Sequence, residues 1–194
     1  MHGSAEYPGC FKSQSGAIET GYSPRVRDIL AHVLNSGPKL GFTGSSDTHT
    51  GNPGSSKWLR NRVQYGSGLT AVCAHKLNRS AIWEAIWNHR TYATTGVRML
   101  IDFEINGIPY GGVVTPESQD EPRNITVRAV GTDRLDNITI VRNGKEVHKQ
   151  GCKSDQAIMN WVDGEPPEGN CYYYARILQD DGHMGWTSPV WLLK

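Results

Sequence analysis

Asp47 and His49 stand two residues apart in the run Gly41-Phe42-Thr43-Gly44-Ser45-Ser46-Asp47-Thr48-His49-Thr50. If extended backbone persists through the run, both side chains point to one face. A carboxylate and an imidazole converging there suit Zn²⁺, Mn²⁺ or Fe. The same pair suits a hydrogen-bonded Asp–His cap on the next loop, and D-x-H is too short a pattern to decide between them. A second set of donors opens the chain in His2-Gly3-Ser4-Ala5-Glu6, where Glu6 is placed to ligate or to orient the imidazole of His2. The competing reading there is a frayed terminus. Lys57, Arg60 and Arg62 follow the polar loop and offer contacts to an anionic group such as phosphate, against a reading as solvated surface. Nucleophilic catalysis is poorly supported: there is no G-x-S-x-G elbow, no P-loop and no G-x-G-x-x-G, and neither Cys10 nor Cys73 sits in a Cys–His signature.

The elements that must carry these residues read as α/β in the first half. Ser23 caps a helix with Pro24 in its first position, and Val26, Ile29, Leu30, Val33 and Leu34 make one apolar stripe. Gly37-Pro38 ends it. Lys39–Ser46 reads as a short buried strand that delivers the polar cluster at its C-terminal end, where sites form in α/β sheets. Leu69–Ala74 reads as a second strand. A second helix follows, capped by Asn78 or Ser80, with Ile82, Trp83, Ile86 and Trp87 as its apolar face and the two tryptophans as core.

The second half reads as all-β. Asn106-Gly107, Asn143-Gly144 and Asp181-Gly182 are two-residue turn signals of the kind that tolerate positive φ at both positions. They predict hairpins of Ile138–Arg142 with Lys145–His148, and of Tyr172–Leu178 with Met184–Leu192. Ile125–Val130 is a further strand, and the spacing suggests a small β-sandwich. Tyr172 and Tyr174 share one strand face and Tyr173 takes the other, so packing against Trp186 or Trp191 is expected.

Charge divides the chain at the same place. Residues 1–98 carry a net charge of +6 and residues 99–194 a net charge of −5, so two parts are expected, 1–98 and 99–194. The whole 194-residue chain nets +1, which gives no argument for nucleic acid or an anionic membrane as partner. No apolar run approaches the roughly 18 residues of a membrane span, and no signal peptide is recognisable, so the reading is a soluble chain of unknown compartment. Four cysteines without C-x-x-C spacing read as reduced thiols, with a Cys152–Cys171 bridge as the alternative.

Gly44-Ser45-Ser46-Asp47-Thr48-His49-Thr50-Gly51 resembles the last metal-ligand motif of the PHP superfamily, the polymerase and histidinol phosphatase type. The likeness is to its domain-of-unknown-function branch, akin to carbaryl-hydrolase-like metallohydrolases. Three more blocks agree in order. His2–Gly9 resembles that branch's H-G-x-x-E block, Gly68-Leu69-Thr70-Ala71-Val72 its G-G-L-x-x-V segment, and Arg90-Thr91-Tyr92-Ala93-Thr94-Thr95-Gly96 its R-x-x-Y-A-T-T-G signature. The Tyr172–Trp191 segment is similar to the closing strands of its C-terminal β domain.

The resemblance implies a distorted α/β barrel, here an incomplete barrel portion followed by a β-sandwich-like domain. It implies a divalent metal (Zn, Mn or Fe) held by Asp47, His49 and His2, Glu6 as an orienting or proton-accepting group, and a small phosphoester or related substrate, with Arg60 and Arg62 near it. The family's H-x-H ligand pair is absent from this chain. The expectation is therefore a C-terminal portion of a metal-dependent hydrolase with little turnover alone, and self-association into a homodimer through uncovered surfaces. The alternative is a non-catalytic β-sandwich binding or interaction module with a vestigial metal site.

Overall fold

A computed structural model describes residues 29–45, 68–116, 121–166 and 169–193. Two helices, α1 (Ile29–Asn35) and α2 (Arg79–Trp87), accompany the strands β1 (Leu69–Val72), β2 (Thr91–Thr94), β3 (Leu100–Ile105), β4 (Ile108–Pro109), β5 (Val113–Val114) and β6 (Arg123–Val130). The chain continues through β7 (Leu135–Arg142), β8 (Lys145–Gly151), β9 (Gln156–Asp163), β10 (Cys171–Gln179), β11 (Met184–Thr187) and β12 (Val190–Leu192). Neither described helix is long and apolar enough to cross a membrane.

The strands form two sheets. One holds β4-β3-β6-β9 in that order. The other has β10 at its centre, with β7 and then β8 on one side and β11 and β12, end to end, on the other. Beyond β11 come β2 and β1, and beyond β12 comes β5, the last pairing being parallel. The expected boundary at 98/99 falls between β2 and β3, and β2 pairs with β11 across it.

The alternating burial of β3 and β6 turns Phe103, Ile105, Ile125 and Val127 towards the larger sheet. There they meet Ile138, Ile140, Tyr173, Ala175 and Ile177 in one core. The larger sheet is covered on its other face too. Ala31 and Leu34 of α1 and Phe42 pack with Tyr172, Tyr174, Trp186 and Trp191 in a second core. The tyrosine alternation is as expected, with Tyr172 and Tyr174 stacked at 6.4 Å and Tyr173 facing the other way. Cys73, Cys152 and Cys171 are free thiols.

Two of the three turns follow the expected chemistry. Asn106-Gly107 and Asn143-Gly144 have positive φ at both residues, joining β3 to β4 and β7 to β8. The third is different. Only Gly182 has positive φ, at 85°, because the β10–β11 loop is longer. Gly182 N donates to Gln179 O, and Gln179 N donates to His183 O, so a turn plus one left-handed residue closes the hairpin.

Two further expectations are corrected. Of the expected Lys39–Ser46 strand, the described residues 39–45 are not a strand: hydroxyl side chains, in place of a backbone ladder, take the hydrogen bonds of Phe42 and Gly44. Trp83 and Trp87 are not core: they are 63% and 72% exposed. Asn78 does cap α2, accepting from Ala81 N at 2.8 Å, but the face turned inward is Ala81 and Ala85. Those small side chains let the helix approach closely, which leaves the two indoles stacked on each other outside at 6.0 Å. Two bonds of a left-handed cap end the helix: His89 N donates to Ile86 O and Arg90 N to Ala85 O, with His89 at φ 57° where glycine is usual.

One buried charge network locks the β7, β9 and β10 ends together. Arg123 and Asp163 side chains are each 2% exposed and 3.2 Å apart. Asp163 also receives Arg142 at 2.8 Å and the Tyr173 hydroxyl at 2.7 Å. Asp163→Ala removes the carboxylate paired with Arg123 and strands a buried guanidinium, so it is expected to cost about 3–5 kcal/mol in urea unfolding. Burial also pushes the Cys171 thiol up to about 11, so the folded state holds that proton more tightly than the unfolded chain does. The associated stability is present below pH 9 and is lost as pH rises from 9 to 11. Denaturation midpoints across that window should fall, and Cys171→Ala should flatten the slope.

Candidate functional site

The residues just before Asp47 are held against the sheet by four hydroxyl-mediated bonds. Phe42 N donates to Ser188 Oγ at 2.8 Å, and Thr91 Oγ1 donates to Phe42 O at 2.8 Å. Thr70 Oγ1 accepts from Gly44 N at 3.0 Å and donates to Gly44 O at 2.7 Å. Gly68 N then donates to Ser45 O at 2.9 Å. Residues 41–45 thus form a strap that crosses from β2 to the start of β1. The Phe42 ring anchors it, edge-on to Tyr174 at 5.4 Å.

Ser188 is available because the β11–β12 run breaks at Ser188-Pro189. Proline has no N–H for a ladder. Ser188 Oγ lies 3.1 Å from Thr91 Oγ1, so one buried hydroxyl pair ties the strap, β2 and the strand break together.

The strap must pass close to the sheet, which explains Gly44. A Cβ there would stand 2.5 Å from Leu69 O and 2.9 Å from Leu69 N. No side chain fits without moving backbone.

The strap leaves the described residues at the end of the sheet where the Tyr92–Gly96 block turns. Leu69, Thr94 and Gly185 are paired in one row across β1, β2 and β11. One residue beyond that row lie Gly68 bonded to Ser45, Thr95, and the His183 turn. Thr95 N donates to Met184 O at 2.9 Å, and Met184 N donates to Thr95 Oγ1 at 2.9 Å. Thr95 Oγ1 is 2.8 Å from His183 Nδ1, while His183 N donates to Asp181 Oδ1 at 2.9 Å. Thr94 Oγ1 donates to Val97 O at 2.7 Å and fixes the turn. The arrangement supplies a rigid polar rim with one oriented imidazole, at the place where the chain enters Ser46–Thr50.

His2, Glu6, Asp47, His49, Arg60 and Arg62 all lie outside the described residues. Among the described residues no group of three or more His, Cys, Asp or Glu is placed to hold a metal. Sequence reasoning missed Thr70, Thr91, Ser188 and His183 as the residues that position the strap and its rim. Thr70 and Thr91 lie inside the two quoted blocks, but a hydroxyl's partner 49 or 146 residues away leaves no local pattern. His89 also lies off this rim: its ring packs edge-on to Trp191 at 5.5 Å, and burial, then the nearby Lys39 charge, lower its pKa.

Gly44→Ala is expected to lift the strap and destabilise the chain by about 1–3 kcal/mol, the usual cost of overpacking. Thr91→Val should cost about 1 kcal/mol and speed amide exchange in the strap, since it leaves Phe42 O without its donor. Chemical denaturation and hydrogen exchange at Phe42 and Gly44 check both.

The family described as a protein of unknown function, DUF3604, matches residues 55–129, a span that includes the Gly68–Val72 and Arg90–Gly96 blocks. A protein of Chlamydia pneumoniae, described as uncharacterized, is 32% identical over 145 residues, which is 68% of this chain and 23% of that protein. Proteins of Chlamydia muridarum and Chlamydia trachomatis serovar D, described likewise, are 31% and 30% identical over 143 residues, 66% of this chain and 23% of theirs. The chain therefore spans about a quarter of the length of these relatives. The crystal structure of an engineered protein is similar at 18% identity with a TM-score of 0.32, covering 49% of this chain and 20% of that one, a likeness too slight to carry an argument. What these comparisons establish is similarity to DUF3604 over the stretch from the end of the polar loop into β6.

Proposed function

We propose that this chain is the C-terminal portion of a metal-dependent hydrolase of the PHP type, acting on phosphoesters or related bonds, and that it has little turnover alone. The observation that carries the reading is the strap. Residues 41–45, which precede the D-T-H run in sequence, are pinned at the sheet end where the Y-A-T-T-G block turns. The first two residues of one block that resembles a family motif, Gly44 and Ser45, thus lie at the sheet end where a second such block turns, which supports the reading. Carboxylate and imidazole donors at Asp47, His49 and His2 suit Zn²⁺, Mn²⁺ or Fe by their chemistry. When bound, such a metal polarises substrate and makes hydroxide available from water near neutral pH. In this reading Glu6 orients His2 or accepts a proton, Arg60 and Arg62 hold the anionic group, and further ligands come from outside this chain.

One observation favours a second reading, a non-catalytic interaction module. Leu77, Trp83, Ile86 and Trp87 are all exposed on and beside α2, with the two indoles stacked on each other, and exposed apolar side chains of that kind suit protein contact.

Elemental analysis after equilibration with Zn²⁺ and Mn²⁺ separates the two. The hydrolase reading expects metal that is bound by the parent chain and lost in both Asp47→Ala and His49→Ala. Metal content that is nil, or equal in parent and variants, favours the interaction module.

A further inference from the structure

α2 buries its small side chains and shows its large ones. Ala81 and Ala85 face inward, while Trp83, Ile86 and Trp87 are exposed. By helical spacing Arg79 joins those three on the side of the helix opposite the alanines, and it too is exposed. Tryptophan is on average a highly buried residue type, so two of them a turn apart on one exposed face mark a contact surface. The indoles are already stacked on each other at 6.0 Å, so they offer a large apolar anchor with little freedom left to lose. Leu77, beside the start of the helix, is likewise unpacked. A residue in its place before the Asn78 cap ordinarily folds onto the position of Ile82, but Leu77 is 96% exposed.

Charge tells what surface fits this face. Arg79 is the first residue of α2, and the first turn holds no acidic residue. A cation there opposes the helix dipole, whose negative end is the C-terminus. Arg79 and Trp87 stand four residues on either side of Trp83, about 6 Å along the axis. A second α2 laid antiparallel on the first, with a two-fold axis at Trp83, therefore places each Arg79 opposite Trp87 of the other copy. The guanidinium there meets an indole and the negative end of the neighbouring helix, both favourable to a cation. The stripe of Arg79, Trp83 and Trp87 is thus its own complement, as a closed two-fold contact requires. Tryptophan and arginine are also the residue types that carry most binding energy at protein interfaces.

We propose that this face of α2 pairs, antiparallel, with the same face of a second copy of the chain, giving a two-fold dimer. The inference rests on the exposed face that favours the interaction-module reading, and it names the partner that covers that face.

The test is the mass of the full chain in solution, by sedimentation over a wide range of concentration. The expected result is a reversible monomer–dimer equilibrium with no larger species. Trp83→Ala/Trp87→Ala, altered only at exposed positions, should be monomeric throughout, with circular dichroism showing that it is folded. Arg79→Glu should weaken the dimer by about tenfold or more, while its urea midpoint as a monomer should not fall, because a carboxylate suits the first turn of a helix. A parent that stays monomeric at every concentration overturns the proposal. So does an oligomer that grows past two, which a two-fold contact does not give, or a dimer that survives the tryptophan variant. A dimer lost with the tryptophans but unchanged by Arg79→Glu overturns it too, because the antiparallel register is what brings Arg79 into contact. Metal content reports separately on the hydrolase reading. Metal lost in Asp47→Ala and His49→Ala counts against the interaction module whatever the mass, and a monomer counts against the pairing whatever the metal content.

Discussion

Burial of β10 on both faces is the constraint from which the rest of this structure follows. Eight of its nine residues are buried. A strand in that position needs cover on two sides, and the smaller sheet supplies only one. The other side is closed by α1 and the strap, and Phe42 is the residue through which the strap joins the second core. The strap up to Ser45 is therefore placed by core packing as much as by its own sequence. A buried aromatic sets where the strap lies, and four hydroxyl bonds set its path.

The same constraint shapes the charged residues. Asp163, Arg123 and Tyr173 meet where the core between the sheets reaches its edge, beside the Cys171 end of β10. Ions buried there must satisfy one another, because water cannot reach them. Arg142 extends this network to the surface, where it meets Glu165.

Much of the fold was legible in the sequence where local rules dominate. The Asn106-Gly107 and Asn143-Gly144 pairs marked true two-residue turns because both residues tolerate positive φ. The Tyr172-Tyr173-Tyr174 alternation, the Asn78 cap and the strand at Ile125–Val130 came through for the same reason. What failed was decided by distant partners. Lys39–Ser45 has the composition of a strand, but the side chains of Thr70, Thr91 and Ser188 take the hydrogen bonds of Phe42 and Gly44. Trp83 and Trp87 have helical spacing, but so do Ala81 and Ala85, and how closely α2 approaches its neighbours decides between the two faces. Of the candidate site, the structure describes the strap and rim, while His2, Glu6, Asp47, His49, Arg60 and Arg62 lie outside the described residues.

A strap fixed by side chains differs from a strand in what it can tolerate. A ladder strand is held by its own backbone, so most single substitutions leave it in place. Residues 41–45 are held by three hydroxyls that belong to other elements, and by a glycine with no room for a methyl group. Each hydroxyl contributes about 1 kcal/mol, so loss of one loosens the strap without unfolding the sheets. The position of Ser45 is then sensitive to Thr70, Thr91 and Ser188. A strap built this way gains its placement from the sheet it crosses. It also makes the threonines of the two quoted blocks matter through position, which is a physical reason for those residue types to stand where they do.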